Sequence, residues 1–198
     1  MSLEASPRFR DFIRQVTRVL DAQPVDEGVL LARIGEAARS LVSMDDWLPP
    51  GAAVPHPQFY QQYLLYCDPS ERFSVVSFVW GPGQKTPIHD HMTWGVIAML
   101  RGAERGERFA IGAPMTSLGV TILRRGDVEY VSPKIGDIHE VSNVFSDAVS
   151  VSIHVYGGNI GRIARHVFEA GTGASKEFLS GYANVDQALH GYTSFPSS

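Results

Sequence analysis

The sequence predicts a mainly β fold, an antiparallel barrel with two N-terminal helices packed on it. Apolar residues recur at helical spacing within residues 1–50. From about residue 60, short runs rich in Val, Ile, Phe, Tyr and Trp alternate with Gly, Pro and Asp. No helical pattern separates these runs, which disfavours a parallel sheet with crossover helices. We therefore predict a single domain over residues 1–198, with the barrel over 58–170 and a loop-rich tail over 171–198.

Two helices are predicted in the N-terminal region. Ser6 followed by Pro7 is a typical helix start, with serine as N-cap and proline in the first helical position. The apolar residues that follow share one face: Phe9, Phe12, Ile13, Val16, Val19 and Leu20. Asp26 is placed to cap a second helix with the apolar stripe Leu30, Ile34, Ala37, Ala38 and Leu41. The proline-rich stretch LPPGAAVPHP then ends the helical region.

Strands are predicted for the runs QYLLY, FSVVSFVWG, WGVIAMLRG, ERFAIG, VTILRRGD, VEYVSP, HEVSNVF, AVSVSIHVYGG and RIARHVFEAG. In AVSVSIHVYGG the valines and the isoleucine share one face. The other face carries Ser150, Ser152, His154 and Tyr156. Core packing alone does not explain a hydroxyl, an imidazole and a phenol on one side. A polar cavity inside the barrel explains it, and a half-exposed strand with its polar side in water is the alternative.

Composition excludes several classes of protein. The formal net charge is −4 and no basic run occurs, which argues against nucleic acid or an anionic membrane as partner. No apolar stretch approaches the ~20 residues of a membrane-spanning helix. The start MSLEASPRFRDF lacks the apolar core of a signal peptide. The single cysteine, Cys67, excludes an internal disulfide framework, so we expect a cytoplasmic protein in which Cys67 is a buried bystander.

Two histidines, His89 and His91, lie one residue apart in TPIHDHMTWGV. Residues i and i+2 of a strand point to the same face, so both imidazoles are expected to project together, with Asp90 facing the other way. Pro87 stiffens the approach to them. The spacing alone leaves two interpretations open: a pair of metal ligands, or one buried and one solvated histidine.

The residues around this pair resemble the two signature motifs of the cupin superfamily. The first motif, G-x5-H-x-H-x3-E-x6-G, matches from Gly83 to Gly102, except that Gly95 replaces the glutamate. The second, G-x5-P-x-G-x2-H-x3-N, matches from Gly126 to Asn143 with two gaps each one residue longer. In cupins the histidine pair and a later histidine bind one metal inside a double-stranded β-helix (jelly-roll) barrel. The resemblance therefore implies this fold and the ligands His89, His91 and His139.

The sequence resembles the thiol dioxygenases related to cysteine dioxygenase in three features. It has three metal histidines, no motif glutamate, and S-x-H-x-Y on a later strand. The likeness covers most of residues 58–168, including PIHDH, GDIHEV and SIHVYGG. It implies a mononuclear non-heme Fe(II) with a relay of Ser152, His154 and Tyr156 beside it. Iron without a carboxylate ligand keeps its full charge and can accept a substrate thiolate as well as O2. The implied product is the sulfinic acid.

Two positions depart from the animal cysteine dioxygenases. Those enzymes join a cysteine to the relay tyrosine, and the matching position is Gly95, so this crosslink cannot form. They bind the substrate carboxylate with an arginine, which aligns with Gln62 when their early tyrosine aligns with Tyr60. The glutamine resembles bacterial enzymes that favour 3-mercaptopropionate, in which an arginine beyond the relay tyrosine contributes. That arginine matches Arg165, with Arg162 as a second candidate, and an arginine on a solvated strand edge is the alternative for Arg165.

The sequence thus predicts an Fe(II)-dependent thiol dioxygenase that takes a small thiol, preferably 3-mercaptopropionate, and O2. L-Cysteine as main substrate is the first alternative. A different metal-dependent cupin enzyme is disfavoured because such enzymes usually keep the motif carboxylate, and a non-catalytic cupin sensor is the last alternative. Met92 and Trp94 are candidates for the pocket wall together with Gly95, and core packing is the other interpretation for them. The sequence does not indicate the oligomeric state.

Overall fold

A computed structural model describes residues 6–23 and 26–185. Residues 1–5, 24–25 and 186–198 lie outside the described residues, and with them parts of the predicted helical region and tail. The described chain contains helices α1 (Pro7–Asp21) and α2 (Glu27–Val42). Its strands are β1 (Gln61–Cys67), β2 (Ser74–Trp80), β3 (Ile88–His89), β4 (Gly95–Arg101), β5 (Ala103–Ala110), β6 (Thr116–Arg124), β7 (Val128–Val131), β8 (His139–Asn143), β9 (Ser150–Tyr156), β10 (Arg165–Phe168) and β11 (Ser175–Phe178).

Both helices begin where the sequence predicts. The Ser6 hydroxyl accepts a hydrogen bond from the Phe9 backbone N–H at 3.2 Å. The Asp26 carboxylate accepts one from the Val29 N–H at 2.9 Å. These side chains satisfy amide groups that have no partner within the first helical turn. The apolar stripes of the two helices pack against each other and against the outer face of one sheet. None of the helices in the described part is long and apolar enough to cross a bilayer.

The strands form two antiparallel sheets. One has five strands in the order β1-β2-β9-β4-β7, and the other has six in the order β11-β10-β3-β8-β5-β6. Consecutive strands such as β3 and β4, or β7 and β8, lie in different sheets. The chain therefore winds from one sheet to the other and back. This is the double-stranded β-helix that the sequence predicts, and the mainly β fold class is confirmed.

Side chains of strand β9 alternate between the two faces of the five-stranded sheet. Val151, Ile153 and Val155 belong to the apolar cluster between this sheet and the helices. Tyr156, on the other face, packs in a second cluster with Phe78 and Trp80. All seven residues of β9 are buried. The alternative of a strand with its polar side in water is therefore wrong.

Two local features differ from the prediction. Strand β3 ends at His89, so His91 does not share a strand with it. Strand β11 lies in the tail predicted to be loop-rich and pairs antiparallel with β10. Three of the four β11 residues are exposed, which explains why no alternation of apolar residues announces this strand. The single-domain organisation over residues 1–198 stays a prediction.

Candidate metal centre

Three buried histidines converge from the six-stranded sheet. His89 on β3 lies directly opposite His139 on β8 in the antiparallel register, and His91 follows two residues after His89. Their ring centroids are 4.8 to 4.9 Å apart. One nitrogen of each ring lies within 4.8 Å of the other two. Within the described residues this group contains no carboxylate, so it offers three imidazole nitrogens to one ion.

Hydrogen bonds at the outer side of two rings leave the inner nitrogens free. His89 Nδ1 lies 3.0 Å from the Pro87 carbonyl, and His91 Nδ1 lies 2.9 Å from the Asp137 carboxylate. Each Nδ1 must carry the proton to donate to these acceptors, so each Nε2 keeps its lone pair. Burial lowers the pKa of His89 to about 3 and that of His139 well below its ordinary value. These two imidazoles are therefore neutral near pH 7, as metal ligation requires.

Asp137 holds the segment that carries His91. Besides the ring, its carboxylate accepts hydrogen bonds from the backbone N–H groups of His91 at 3.0 Å and Met92 at 2.9 Å. Burial alone would raise the pKa of Asp137, but the hydrogen bonds from His91 and Met92 lower it below its ordinary value. Met92 has a left-handed backbone, with φ of 57°, where the chain turns away from β3. Sequence reasoning missed Asp137, although an acid two residues before His139, just ahead of the paired strand β8, was a usable signal.

A hydrogen-bonded chain runs along the interior face of β9. Ser152 Oγ lies 2.8 Å from His154 Nε2, and His154 Nδ1 lies 2.7 Å from Tyr156 Oη. Tyr156 stacks on His91 with 5.4 Å between ring centroids, so the chain ends beside the histidine cluster. Burial lowers the pKa of His154 and raises that of Tyr156. Both side chains are therefore neutral near pH 7.

Gly95 lies opposite Tyr156 in the register of β4 and β9. A Cβ atom at Gly95 would lie 2.9 Å from the Tyr156 ring and 2.8 Å from a Val131 methyl group. A glycine here leaves room for the tyrosine. The other two predicted pocket residues lie further out: Trp94 packs on the cluster between sheet and helices, and the Met92 side chain is half exposed.

Arg165 is a buried cation, so the alternative of a solvated strand edge is wrong. It is 2% exposed, and its Nη2 donates to the Ser180 hydroxyl at 2.5 Å. Its guanidinium carbon lies 4.7 Å from the centre of the Phe178 ring, a cation–π contact made by β11. Its Nε has no hydrogen-bond acceptor among the described residues. No carboxylate of residues 6–23 and 26–185 forms a salt bridge with it.

The charge of Arg165 acts on the centre from the side of β10. Burial is the largest influence on the pKa of His89, which it lowers, and on that of Tyr156, which it raises. The positive charge of Arg165 lowers both pKa values. Burial raises the pKa of Tyr60, and the charge of Arg165 and the nearby Gln62 side chain partly oppose this shift. The Gln62 side-chain oxygen is buried without a partner among the described residues. The structure thus brings Arg165 and Gln62 to the same aromatic side chain, Tyr60.

Arg162, the second candidate, has a different environment. Its Nη1 donates to Glu71 at 3.0 Å, and its side chain is 57% exposed.

Cys67, in contrast, is buried at the end of β1, and burial raises its pKa to about 11. A thiol that stays protonated near pH 7 is a poor nucleophile, which agrees with the expected bystander role.

Asp90 connects the end of β3 to β10. Its carboxylate accepts a hydrogen bond from the His166 backbone N–H at 2.7 Å and contacts His166 Nδ1 at 2.8 Å. Because Arg165 precedes His166, this contact fixes the position of the buried cation relative to His89. Asp90 does face away from the two neighbouring histidines, but its partner was not apparent from the sequence.

A double-stranded β-helix with three buried histidines in its interior defines a cupin-type protein with a candidate metal centre. The profile of the family described as cysteine dioxygenase type I matches residues 59–168. The match covers more than half of the chain and includes the three histidines and the Ser152–His154–Tyr156 chain. The protein belongs to this family.

Individual relatives are more distant. Cysteine dioxygenase type 1 of Bos taurus is 29% identical over 113 residues, which cover 54% of this chain and 55% of the relative. The Homo sapiens protein of the same name is 29% identical over 90 residues, 43% of this chain and 44% of the relative. The chain thus spans about half the length of the curated relatives it matches.

Among solved structures, a conserved protein with a double-stranded β-helix domain from Klebsiella pneumoniae gives a TM-score of 0.46 at 15% identity. It covers 68% of this chain and 97% of that one. An RmlC-like cupin protein from Desulfovibrio desulfuricans gives 0.43 at 22% identity, covering 58% of this chain and 97% of that one.

Proposed function

We propose that this protein is an Fe(II)-dependent thiol dioxygenase that adds both atoms of O2 to the sulfur of a small mercapto-carboxylic acid. One observation carries the proposal: three buried histidines without a carboxylate lie beside a Ser152–His154–Tyr156 hydrogen-bonded chain. Membership of the cysteine dioxygenase type I family supports it.

The donor set fits a divalent iron. His89, His91 and His139 would hold it through neutral imidazole nitrogens, a ligand type that suits iron. Bound by neutral ligands alone, the ion keeps its double positive charge and supplies binding for a thiolate and for O2. Asp137 orients His91 from outside, as the partners of metal-binding histidines commonly do.

The remaining residues bind and orient the substrate. The Arg165 guanidinium and the Gln62 amide would hold the carboxylate, because Arg165 is buried with its Nε–H unpartnered and the Gln62 NH2 group can donate a hydrogen bond. Tyr156 Oη would hold a proton at the reacting end, oriented by His154 and Ser152. The reaction is balanced without a further reductant: the thiol loses its proton, both oxygen atoms join the sulfur, and the product is the sulfinic acid.

We further propose that 3-mercaptopropionate is preferred to L-cysteine. Family membership supports cysteine equally well, and Gln62 favours the thiol acid without an amino group. Gln62 is neutral, whereas an arginine at this position would add a second guanidinium, besides that of Arg165, to bind a carboxylate in a bidentate manner. L-Cysteine is therefore the specific competing substrate.

The test is to load the full chain with Fe(II) and to measure O2 uptake and sulfinate formation with 3-mercaptopropionate, L-cysteine and cysteamine in parallel. We expect the highest kcat/KM with 3-mercaptopropionate, and Gln62→Arg should shift the preference toward cysteine. A higher kcat/KM with cysteine would overturn the substrate preference. Absence of sulfinate from all three thiols would overturn the dioxygenase proposal in favour of a sensor. Zinc or manganese as the native metal would favour another metal-dependent enzyme.

A further inference from the structure

A buried carboxyl group, that of Glu104, lies at the far end of the Ser152–His154–Tyr156 chain and takes no part in the proposed binding of metal or substrate. Glu104 lies on β5 between β6 and β8 and is 2% exposed. Of the four buried carboxyl side chains in the described part of the chain, the other three each pair with a basic side chain: Asp68 with Arg72, Asp90 with His166 and Asp137 with His91. Glu104 forms no such pair there, and its Oε1 has no hydrogen-bond partner.

The surroundings of Glu104 connect it to the relay. Burial raises the pKa of Glu104 to about 8, and the nearby Ser152 hydroxyl and Trp80 indole partly oppose this shift. The neighbouring Ala103 N–H donates to Ser150 Oγ at 3.1 Å, which places the start of β5 against β9. The Trp80 indole N–H also lies 3.3 Å from Ser152 Oγ. The Glu129 carboxylate on β7, which is paired with Arg108, raises the pKa of Glu104 further. His154 and Tyr156 face it from β9, both neutral near pH 7.

We propose that Glu104 is the fourth member of the relay, a positioning residue whose proton sets the direction in which Ser152, His154 and Tyr156 donate their hydrogen bonds. The inference rests on the proposed function in one respect. It states which hydrogen-bond direction of the relay supports thiol oxidation, namely the one in which the Tyr156 O–H donates toward the three histidines. Its test is separate, because it concerns the direction of hydrogen bonds within the chain and needs no iron.

The two protonation states of Glu104 impose opposite directions. Protonated Glu104 donates to Ser152 Oγ, Ser152 donates to His154 Nε2, and His154 Nδ1–H donates to Tyr156 Oη. The Tyr156 O–H is then free to donate toward the three histidines. Ionised Glu104 instead accepts the Ser152 proton, so Tyr156 must donate to His154 Nδ1 and turns its hydrogen away from the centre. The only proton gained or lost is the one that Glu104 exchanges with solvent.

The deciding measurement is the tautomer of His154. Imidazole nitrogen-15 chemical shifts in the full chain, metal-free and loaded with diamagnetic zinc, report which ring nitrogen carries the hydrogen. Between about pH 6 and pH 9.5 we expect the hydrogen to move from Nδ1 to Nε2 in the wild type. In Glu104→Gln, whose amide does not ionise, the hydrogen should stay on one ring nitrogen throughout this range. Glu107→Gln, on the same strand and paired with Arg105, should titrate like the wild type.

A single His154 tautomer across this range in the wild type would overturn the inference, and so would the same titration in Glu104→Gln. The wild-type experiment needs no variant, so a folding defect cannot hide the answer. In the iron-loaded protein, kcat with 3-mercaptopropionate should fall about tenfold per pH unit above pH 8 at constant KM. That fall should be absent in Glu104→Gln. Failure to oxidise any thiol would refute the proposed function while the tautomer measurement still decides the role of Glu104.

Discussion

At the scale of single residues, the geometry of the centre depends on contacts just outside the three histidines. Asp137→Asn removes the negative charge that fixes the proton on His91 Nδ1 and keeps only one good acceptor for three donors. We expect a roughly 10- to 100-fold loss of metal affinity. Competition with a chelator for Fe(II) or Zn(II) measures it. Asp147→Asn, at an exposed position, is the matched control; an equal effect in both variants would contradict the assignment.

Arg165→Met removes a buried positive charge but keeps an unbranched side chain of similar length. If the guanidinium binds the substrate carboxylate, the KM for 3-mercaptopropionate should rise about 10- to 100-fold. This rise corresponds to the loss of a charge-assisted hydrogen bond from substrate binding. Binding of cysteamine, which has no carboxylate, should not change. Arg162→Met is the control, since that arginine already pairs with Glu71. Equal weakening for both thiols would assign Arg165 a structural role instead.

Gly95→Ala tests the space left for the relay tyrosine. The new methyl group would meet the Tyr156 ring at 2.9 Å and Val131 at 2.8 Å, so one of the two must move. Overpacking of this kind lowers the free energy of unfolding by about 1 to 3 kcal/mol. Urea unfolding measures the change. At Gly51 an added Cβ meets nothing within 4 Å, so Gly51→Ala should change stability by less than about 0.5 kcal/mol.

Sequence reasoning found residues with a fixed spacing and missed those that only the barrel brings together. His89, His91 and His139 follow a motif, and Ser152, His154 and Tyr156 follow strand alternation. Glu104 lies in GAERGERF, where alternating charges suit either face of a strand. Which face turns inward depends on the pairing with β6 and β8, and these residues lie far away in the sequence.

At the scale of elements, Asp90 determines how β10 attaches to the centre. Its carboxylate binds both the backbone and the ring of His166, and its own N–H donates to the His166 carbonyl at 3.1 Å. Asp90→Ala leaves the His166 amide without its acceptor. We expect a loss of about 1 to 3 kcal/mol in the free energy of unfolding. Hydrogen exchange of the amides at residues 165–168 should also accelerate.

The control for this element is Glu177→Ala, an exposed carboxylate on the neighbouring β11. It lies opposite His166 on the β11 side and removes a charge there without altering the contacts of Asp90, so exchange at β10 should stay unchanged. Unaltered exchange in Asp90→Ala would mean that backbone pairing alone holds β10. The outcome also bears on Arg165, because its β10 backbone position sets where the guanidinium lies relative to His89.

The sequence predicted the elements with apolar alternation and missed the edge strand that lacks it. Helices α1 and α2 have capping residues and apolar stripes, β2 and β4 have near-continuous apolar runs, and apolar residues alternate along β9. Strand β11 has one large apolar residue, Phe178, and that residue covers Arg165. Its formation follows from pairing with β10 and from this cation–π contact, neither of which a local pattern contains.

At the scale of the whole molecule, groups buried in the barrel give the metal-free chain a pH optimum of stability. Burial lowers the pKa of His89, His139 and His154 below 6.5, so the unfolded chain binds more protons in acid and stability falls below pH 6.5. Glu104 acts with the opposite sign. Its pKa rises from 4.5 to about 8 on folding, so the folded chain holds the extra proton and stability falls as pH rises through this interval.

Between pH 4.5 and pH 6.5 three histidines outweigh one glutamate, and above pH 6.5 the glutamate acts alone. The free energy of unfolding should therefore be highest near pH 6.5 and fall by about 1.4 kcal/mol per pH unit from there toward pH 8. In Glu104→Gln the fall above pH 6.5 should disappear while the fall in acid remains, and Glu107→Gln should keep both. Urea unfolding of the metal-free chain from pH 5 to pH 8.5 measures these slopes. A wild-type curve that is flat above pH 6.5 would mean that Glu104 ionises without cost, in which case its proton could not bias the direction of the relay.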